Sequence, residues 1–252
     1  PTADTLRAAS RARRGFLRSG AAVGGAMAAM AGGRELAQAK DGFEPPAVPA
    51  WTRSLGAPVV ALPYGVPSEF ERNVQRRQSP GLTPQPQASI SFTPLQNLFG
   101  IITPSGLHFE RHHSGAPIVD PAQHRLMIHG MVRKPLILTM DDVMRFPSVS
   151  RIHFIECGAN TGMEWANVAV PTVQYTHGMI ACSEFTGVLL STLLEETGYD
   201  RKRAKFVLAE GADGSALTRS IPMAFALDDV MVVYGQHGEM LRPDNGYPLR
   251  LL

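Results

Sequence analysis

The chain has 252 residues, 44% hydrophobic and 18% charged, so it holds enough apolar material for a core of ordinary size and is not disordered as a whole. Its 24 basic and 22 acidic residues nearly balance, and a net charge of +2 makes no field that singles out nucleic acid as a partner. Two cysteines, with no Cys-x-x-Cys or Cys-x-x-Cys-His, exclude a disulfide scaffold, a zinc cluster of thiolates and a covalently attached haem.

The first residues read as an address. Arg13-Arg14 with Phe16-Leu17, the weakly apolar Ser19–Gly33 run and Ala37-Gln38-Ala39 make a bacterial twin-arginine export signal over residues 1–39. The run is too short and too rich in glycine to span about 30 Å of hydrocarbon, which takes roughly 20 apolar residues. That route carries folded proteins to the periplasm, commonly with a cofactor in place, so a prosthetic group is expected. Residues 40–118 form an irregular, extended wrap: thirteen of the twenty prolines lie between Pro45 and Pro121, and proline removes a ladder donor.

Regular pattern begins in residues 119–252. Arg125–Gly130 and Leu136–Leu138 read as strands, and Thr139 caps a short helix through Met144 with Asp141 and Asp142 in its first turn. Arg151–Glu156 alternates into a strand that delivers Cys157. Leu189–Thr197 is the best helix, with Leu190, Leu193 and Leu194 on one face, a capping-box spacing from Thr192 to Glu195, and Gly198 as terminator. Lys205–Ala209 is a strand and Pro222–Leu227 a short helix. Val230–Tyr234 is a strand apolar enough to be covered on both faces.

Cys157 enters Gly158-Ala159-Asn160-Thr161-Gly162, a small-residue turn that backbone or a bulky ligand can approach closely. Its residue type allows three readings: a thiolate ligand for a metal, a buried small hydrophobe, or half of a disulfide with Cys182. His129 and His153 read as structural, and His112-His113 lacks the third ligand that a zinc site needs.

Glu156-Cys157-Gly158-Ala159-Asn160 resembles the Cys-Ala-Gly-Asn turn of the sulfite oxidase family, whose Cys is the one protein ligand of molybdenum in a molybdopterin cofactor. Further pieces follow in the family's order: Phe109-Glu110-Arg111-His112-His113, Thr186-Gly187-Val188-Leu189-Leu190, Glu210-Gly211-Ala212-Asp213 with Ser220-Ile221-Pro222, and Asp244-Asn245-Gly246-Tyr247-Pro248-Leu249-Arg250. The resemblance is closest to the SoxC type, the molybdenum subunit of sulfane or sulfite dehydrogenase. It implies an α+β molybdopterin-binding fold with mixed sheets and short helices. Cys157 is then the metal ligand and is catalytic together with Arg111 and Asn160. Phe109, Arg111, His113, Asp213, Asn245 and Arg250 join Cys157 in binding the cofactor. Guanidinium forks suit a phosphate-bearing tail, and Asp213 suits pterin amino groups.

The resemblance also implies oxidation of sulfur, as carrier-bound sulfane or sulfite, with electrons passing to a c-type cytochrome on a separate chain. The family's dimerising β-sandwich would follow Leu252, so homodimer or hetero-oligomer formation is expected only with it. Thr161 and Gly162 stand where sulfite oxidases carry two arginines, and Leu217 where they carry a tyrosine, so a free dianion has lost a cation and a hydroxyl; Arg219 partly restores the charge. Two alternatives remain: a periplasmic sulfoxide-reducing molybdoenzyme, and a cofactor-free module with a Cys157-Cys182 disulfide.

Overall fold

A computed structural model of the chain describes residues 49–55, 67–78, 85–165 and 170–252. The export-signal reading lies outside the described residues. The chain divides into two compact units, Pro1–Tyr64 and Gly65–Leu252. Of the first, residues 49–55 are described and hold one 3-10 turn, Ala50–Thr52. All other described elements lie in the second unit.

Its proline-rich part is irregular, as expected, with 3-10 turns at Glu69–Glu71, Leu95–Asn97 and Ser105–Leu107. The two short strands there, Arg77–Gln78 (β1) and Ser91–Phe92 (β2), pair antiparallel. Leu126–Ile128 (β3) and Leu136–Leu138 (β4) form a second ribbon. Helix Met140–Arg145 (α1) follows. Thr139 Oγ1 accepts from Asp142 N, and the Asp142 carboxylate accepts from Thr139 N, a reciprocal cap that starts the helix.

Val149–Glu156 (β5) leads through Val173–His177 (α2) to Ile180–Leu189 (β6), which runs straight into Leu190–Thr197 (α3). Phe206–Glu210 (β7) pairs antiparallel with Thr218–Pro222 (β8), and Met223–Ala226 (α4) follows. Met231–Gln236 (β9), Glu239–Met240 (β10) and Arg250–Leu251 (β11) complete the order. The principal sheet runs β10-β9-β6-β5, with β11 also on β9. Each described pairing is antiparallel. Among the described residues no helix is long and apolar enough to cross a membrane.

Strands β6 and β8 and the start of α3 differ from the expectation. β6 carries Ser183, Glu184, Thr186 and Gly187, which hide its alternation, and β8 is almost wholly polar; neither was expected as a strand. The expected Thr192–Glu195 capping box does not form. α3 begins at Leu190, so Thr192 is already inside it, and the N-cap residue is Leu189 with no side-chain cap. Gly198 does end the helix, at φ +62.

β9 is buried on both faces, as its apolar run implies. Val232 joins a core with Leu136, Leu138, Val143, Val188, Leu193 and Ala226, while Met231 and Val233 face Phe185 and Leu241. Gly187 permits this contact between β6 and β9: a Cβ there would sit 2.2 Å from Val232 O, at the bulge between Thr186 and Gly187. Leu193 is fully buried in the first core. Leu193→Ala should therefore cost about 3 kcal/mol, read as a drop in the urea midpoint at unchanged slope.

Candidate functional site

Cys157 stands one residue past the end of β5. Its N–H donates to Met179 O at 3.0 Å, and its carbonyl accepts from Asn160 N at 2.8 Å. The half-buried residue packs against the apolar cluster of Phe92, Phe109, Tyr175, Met179 and Ala181. Phe109 thereby belongs to the same apolar cluster as Cys157's neighbours, from a distant stretch of chain. It is held by a bond from its N–H to Thr93 Oγ1 at 3.0 Å, and its ring stacks on His108 at 5.0 Å.

Both cysteines are free. The β5–β6 register places Cys182 opposite Phe154, while Cys157 bonds to Met179. Side chains at 154 and 157 leave the strand on opposite faces, so the alternative reading of a Cys157-Cys182 disulfide is overturned by the pleat.

The turn itself is tightly tied. Asn160 Oδ1 accepts from Met179 N at 3.1 Å, Asn160 Nδ2 donates to Glu156 Oε1 at 3.0 Å, and Thr161 N donates to Thr176 O at 3.0 Å. Thr161 has φ +63, strained for a β-branched residue. Gly158 and Gly162 have no positive φ, and a Cβ added at either would meet nothing within 4 Å, so the mouth of the turn is open.

The other expected residues fall into two groups. Arg111 bridges to Ile90 and directs its guanidinium to Ser89 O and His112 O. His113 is exposed, and His112 Nε2 is taken by Glu110 Oε2 at 3.1 Å. Asp213 accepts from Ser215 Oγ at 2.9 Å, shaping a turn whose Gly214 lies against Ser114, next to His113. Arg219 is exposed on β8, its guanidinium on Thr218 O. Asn245 is buried to 2% exposure, and both atoms of its amide lack a hydrogen-bond partner. Arg250 donates to Asn245 O at 3.0 Å, and burial lowers its pKa to about 10, which leaves it charged at neutral pH.

Sequence reasoning missed Arg76, His108 and His237. Arg76 reaches Asp244 Oδ2 at 2.6 Å, Glu110 Oε2 at 3.7 Å and His108 O at 3.2 Å, so one guanidinium joins the segment around Phe109 to the loop of Asn245. Only its acidic partners in the matched segments could have hinted at it. His108 Nδ1 lies 2.7 Å from Phe109 O. A carbonyl only accepts, so Nδ1 carries the proton and Nε2, buried without a partner, is a bare acceptor. His237 sits at φ +51 in the β9–β10 turn, with Nδ1 3.1 Å from Ser105 Oγ and Nε2 also unpartnered. Among the described residues no cluster of three His, Cys, Asp or Glu could hold a metal.

A family model described as the oxidoreductase molybdopterin binding domain matches residues 113–252. The crystal structure of the sulfane dehydrogenase SoxCD from Paracoccus pantotrophus is similar at 47% identity and TM-score 0.77, covering 81% of this chain and 52% of that one. An NADH nitrate reductase of Volvox carteri is 37% identical over 169 residues, 61% of this chain and 19% of the relative. Mitochondrial sulfite oxidase of Drosophila melanogaster is 33% identical over 158 residues, 60% of this chain and 27% of the relative. The chain thus spans about half the length of the solved relative and a quarter or less of most curated ones.

His108 gives the site an acid sensitivity. Burial pushes its pKa from 6.5 to about 4, the bond to Phe109 O opposes this, and Arg250 and Arg76 add to it. The unfolded imidazole therefore takes up a proton that the folded one refuses. Stability from neutral His108 is full above 6.5 and is lost as pH falls toward 4, by about 2 kcal/mol between pH 7.5 and pH 5. Urea unfolding at those two values should show His108→Gln losing less than the parent by that margin; equal losses would refute the assignment.

Proposed function

The chain belongs to the oxidoreductase molybdopterin-binding domain family, the sulfite oxidase family, and from that premise we propose that it is part of a periplasmic molybdenum oxidoreductase that oxidises sulfur. The substrate in this reading is carrier-bound sulfane or sulfite, and the electron acceptor is a c-type cytochrome on a separate chain. The observation that carries it is Cys157, a free thiol presented beyond a strand end in an open turn, packed against the apolar cluster that holds Phe109. The 47% identity to a sulfane dehydrogenase supports the sulfur chemistry over that of the nitrate reductases, whose identity is lower.

The residues present fit the cofactor. A buried polar group without a partner costs about 1–3 kcal/mol. The unpaired amide of Asn245 and the bare Nε2 of His108 lie in the region of Arg250, whose charge acts on His108. Together they offer a donor, two acceptors and a fixed cation, which suits a pterin edge with a phosphate tail. Arg250, Arg111 and His113 would hold the anionic oxygens, Asn245 and Asp213 the pterin edge, and Cys157 the metal, while Phe109 packs beside it. The bound group supplies a metal that exchanges two electrons and an oxygen atom with sulfur. The chain supplies the thiolate, the cations and exclusion of water.

Charge distribution at the mouth supports a sulfur atom carried on an arm over a free dianion. Gly162 leaves open the space where an arginine would bring a cation.

Two measurements check the reading. Full-length protein exported by its own signal should carry stoichiometric molybdenum that Cys157→Ser loses; equal metal in both would rule Cys157 out as ligand, and turnover of nitrate without sulfur oxidation would overturn the substrate class. Gly162→Arg, for which the backbone is unstrained and space is open, should lower the KM for free sulfite about tenfold, the worth of one charge-assisted hydrogen bond; an unchanged KM would count against the open-mouth account.

A further inference from the structure

We propose that Asn160 is the positioning residue of the Cys157 thiolate, an inference that rests on Cys157 being the metal ligand. The geometry lies in how the β5–β6 ladder ends. Its last paired residues are Glu156 and Ile180, and Cys157 and Met179 are the next pair in register. In a hydrogen-bonded antiparallel pair two residues exchange both N–H···O bonds. Cys157 and Met179 exchange only one, from Cys157 N to Met179 O at 3.0 Å.

Asn160 takes over the other half. Its side-chain oxygen accepts from Met179 N at 3.1 Å, in place of the Cys157 carbonyl, and its own N–H donates to that displaced carbonyl at 2.8 Å. The amide nitrogen donates to Glu156 Oε1 at 3.0 Å, which fixes which end of the amide is oxygen. One side chain thus closes the ladder and starts the turn. Cys157 stays tethered through its N–H, while its carbonyl is drawn away from β6 into the turn. That sets the backbone orientation from which the thiol projects.

The neighbouring residues make this constraint necessary. Gly158 and Gly162 contribute no packing side chain, and Thr161 is held at φ +63 with its N–H on Thr176 O. A small-residue turn with a strained position keeps one conformation only where its surroundings over-determine it. Alanine at 160 would leave Met179 N–H unpaired, so that the Cys157–Met179 rung keeps only its one backbone bond. Aspartate would keep the acceptor for Met179 N–H while losing the donor to Glu156.

The test uses full-length protein with Asn160→Ala, Asn160→Asp and Glu156→Ala, the last an exposed position that leaves the ladder intact. Hydrogen exchange of the Met179 amide, read in cofactor-free protein, should quicken about tenfold in Asn160→Ala, stay slow in Asn160→Asp, and quicken less in Glu156→Ala. Ile155, inside the ladder, should exchange as in the parent throughout. In cofactor-loaded protein, the sulfur shell of the molybdenum-edge X-ray absorption spectrum should shift in Asn160→Ala and return toward the parent in Asn160→Asp.

Should Asn160→Ala not fold, Glu156→Ala carries the same two readouts at smaller amplitude. Unchanged Met179 exchange, or faster exchange with an unchanged sulfur shell, overturns the proposal. So does a raised KM for the sulfur donor with both readouts at parent values, which would make Asn160 a substrate contact. If Cys157→Ser keeps its molybdenum, the ligand reading fails first, and the exchange result then separates the backbone clamp from any role toward a metal.

Discussion

Eight consecutive antiparallel rungs, from Val149 with Gly187 to Glu156 with Ile180, fix the direction in which the chain leaves β5. A slip of one residue would turn the inward set Ala181, Ser183 and Phe185 outward, so burial on that face holds the register. The far side of β6 is locked onto β9 by Gly187, which alone allows the backbones to meet at the bulge. Cys157 therefore emerges from a framework that cannot readily shift, and the thiol inherits that precision. Sites built at the ends of regular elements gain accuracy in this way, while the loops around them remain free to vary.

A second constraint is electrostatic. Arg76 comes from the proline-rich part, yet it bonds to Asp244 and Glu110 and to the carbonyl of His108. Partly buried charges are retained at a desolvation cost unless they are paired, so the three segments come together or leave unpaired ions behind. Closing that contact brings the buried amide of Asn245, the neutral ring of His108 and the cation of Arg250 into one region. In the proposed reading this is the end of the site that grips the cofactor, and Cys157 is the end that meets the metal.

Much of the fold was legible because its signals are local. The Thr139 cap with Asp142, the strand leading to Cys157, the two-sided burial of β9 and the stop at Gly198 each rest on a few adjacent residues. β6 was not legible, since its inward positions include Ala181 and Ser183 and its outward ones Glu184, a pattern with no apolar period. β8 was hidden by Thr218, Arg219 and Ser220, which pair through backbone alone with β7. In the site, the family resemblance pointed to Cys157, Arg111, Asn245 and Arg250, whereas Arg76 and His108 act through partners far along the chain. The resemblance implies a catalytic role for Asn160. Its amide is spent on Met179 and Glu156, a fact that only the register of the ladder could reveal.

The two ends of the site differ in charge, and the difference bears on what is oxidised. In the proposed reading Arg250 is the cation at the cofactor end, while Arg76 there is paired with Asp244 and Glu110, and Arg111 is turned onto backbone carbonyls. The Cys157 turn carries only the side chains of Ala159, Asn160 and Thr161 between two glycines, with no cation among residues 157–162, and the nearby Glu156 carboxylate accepts from Asn160. A free dianion that enters a desolvated pocket needs fixed positive donors to offset its lost hydration. A sulfur atom tethered to a carrier needs them far less, because attachment raises its effective concentration at the mouth and the carrier's own contacts add affinity elsewhere. In the proposed reading, a buried cation toward an anionic cofactor, beside an open turn without a cation, thus favours a delivered substrate over a captured one.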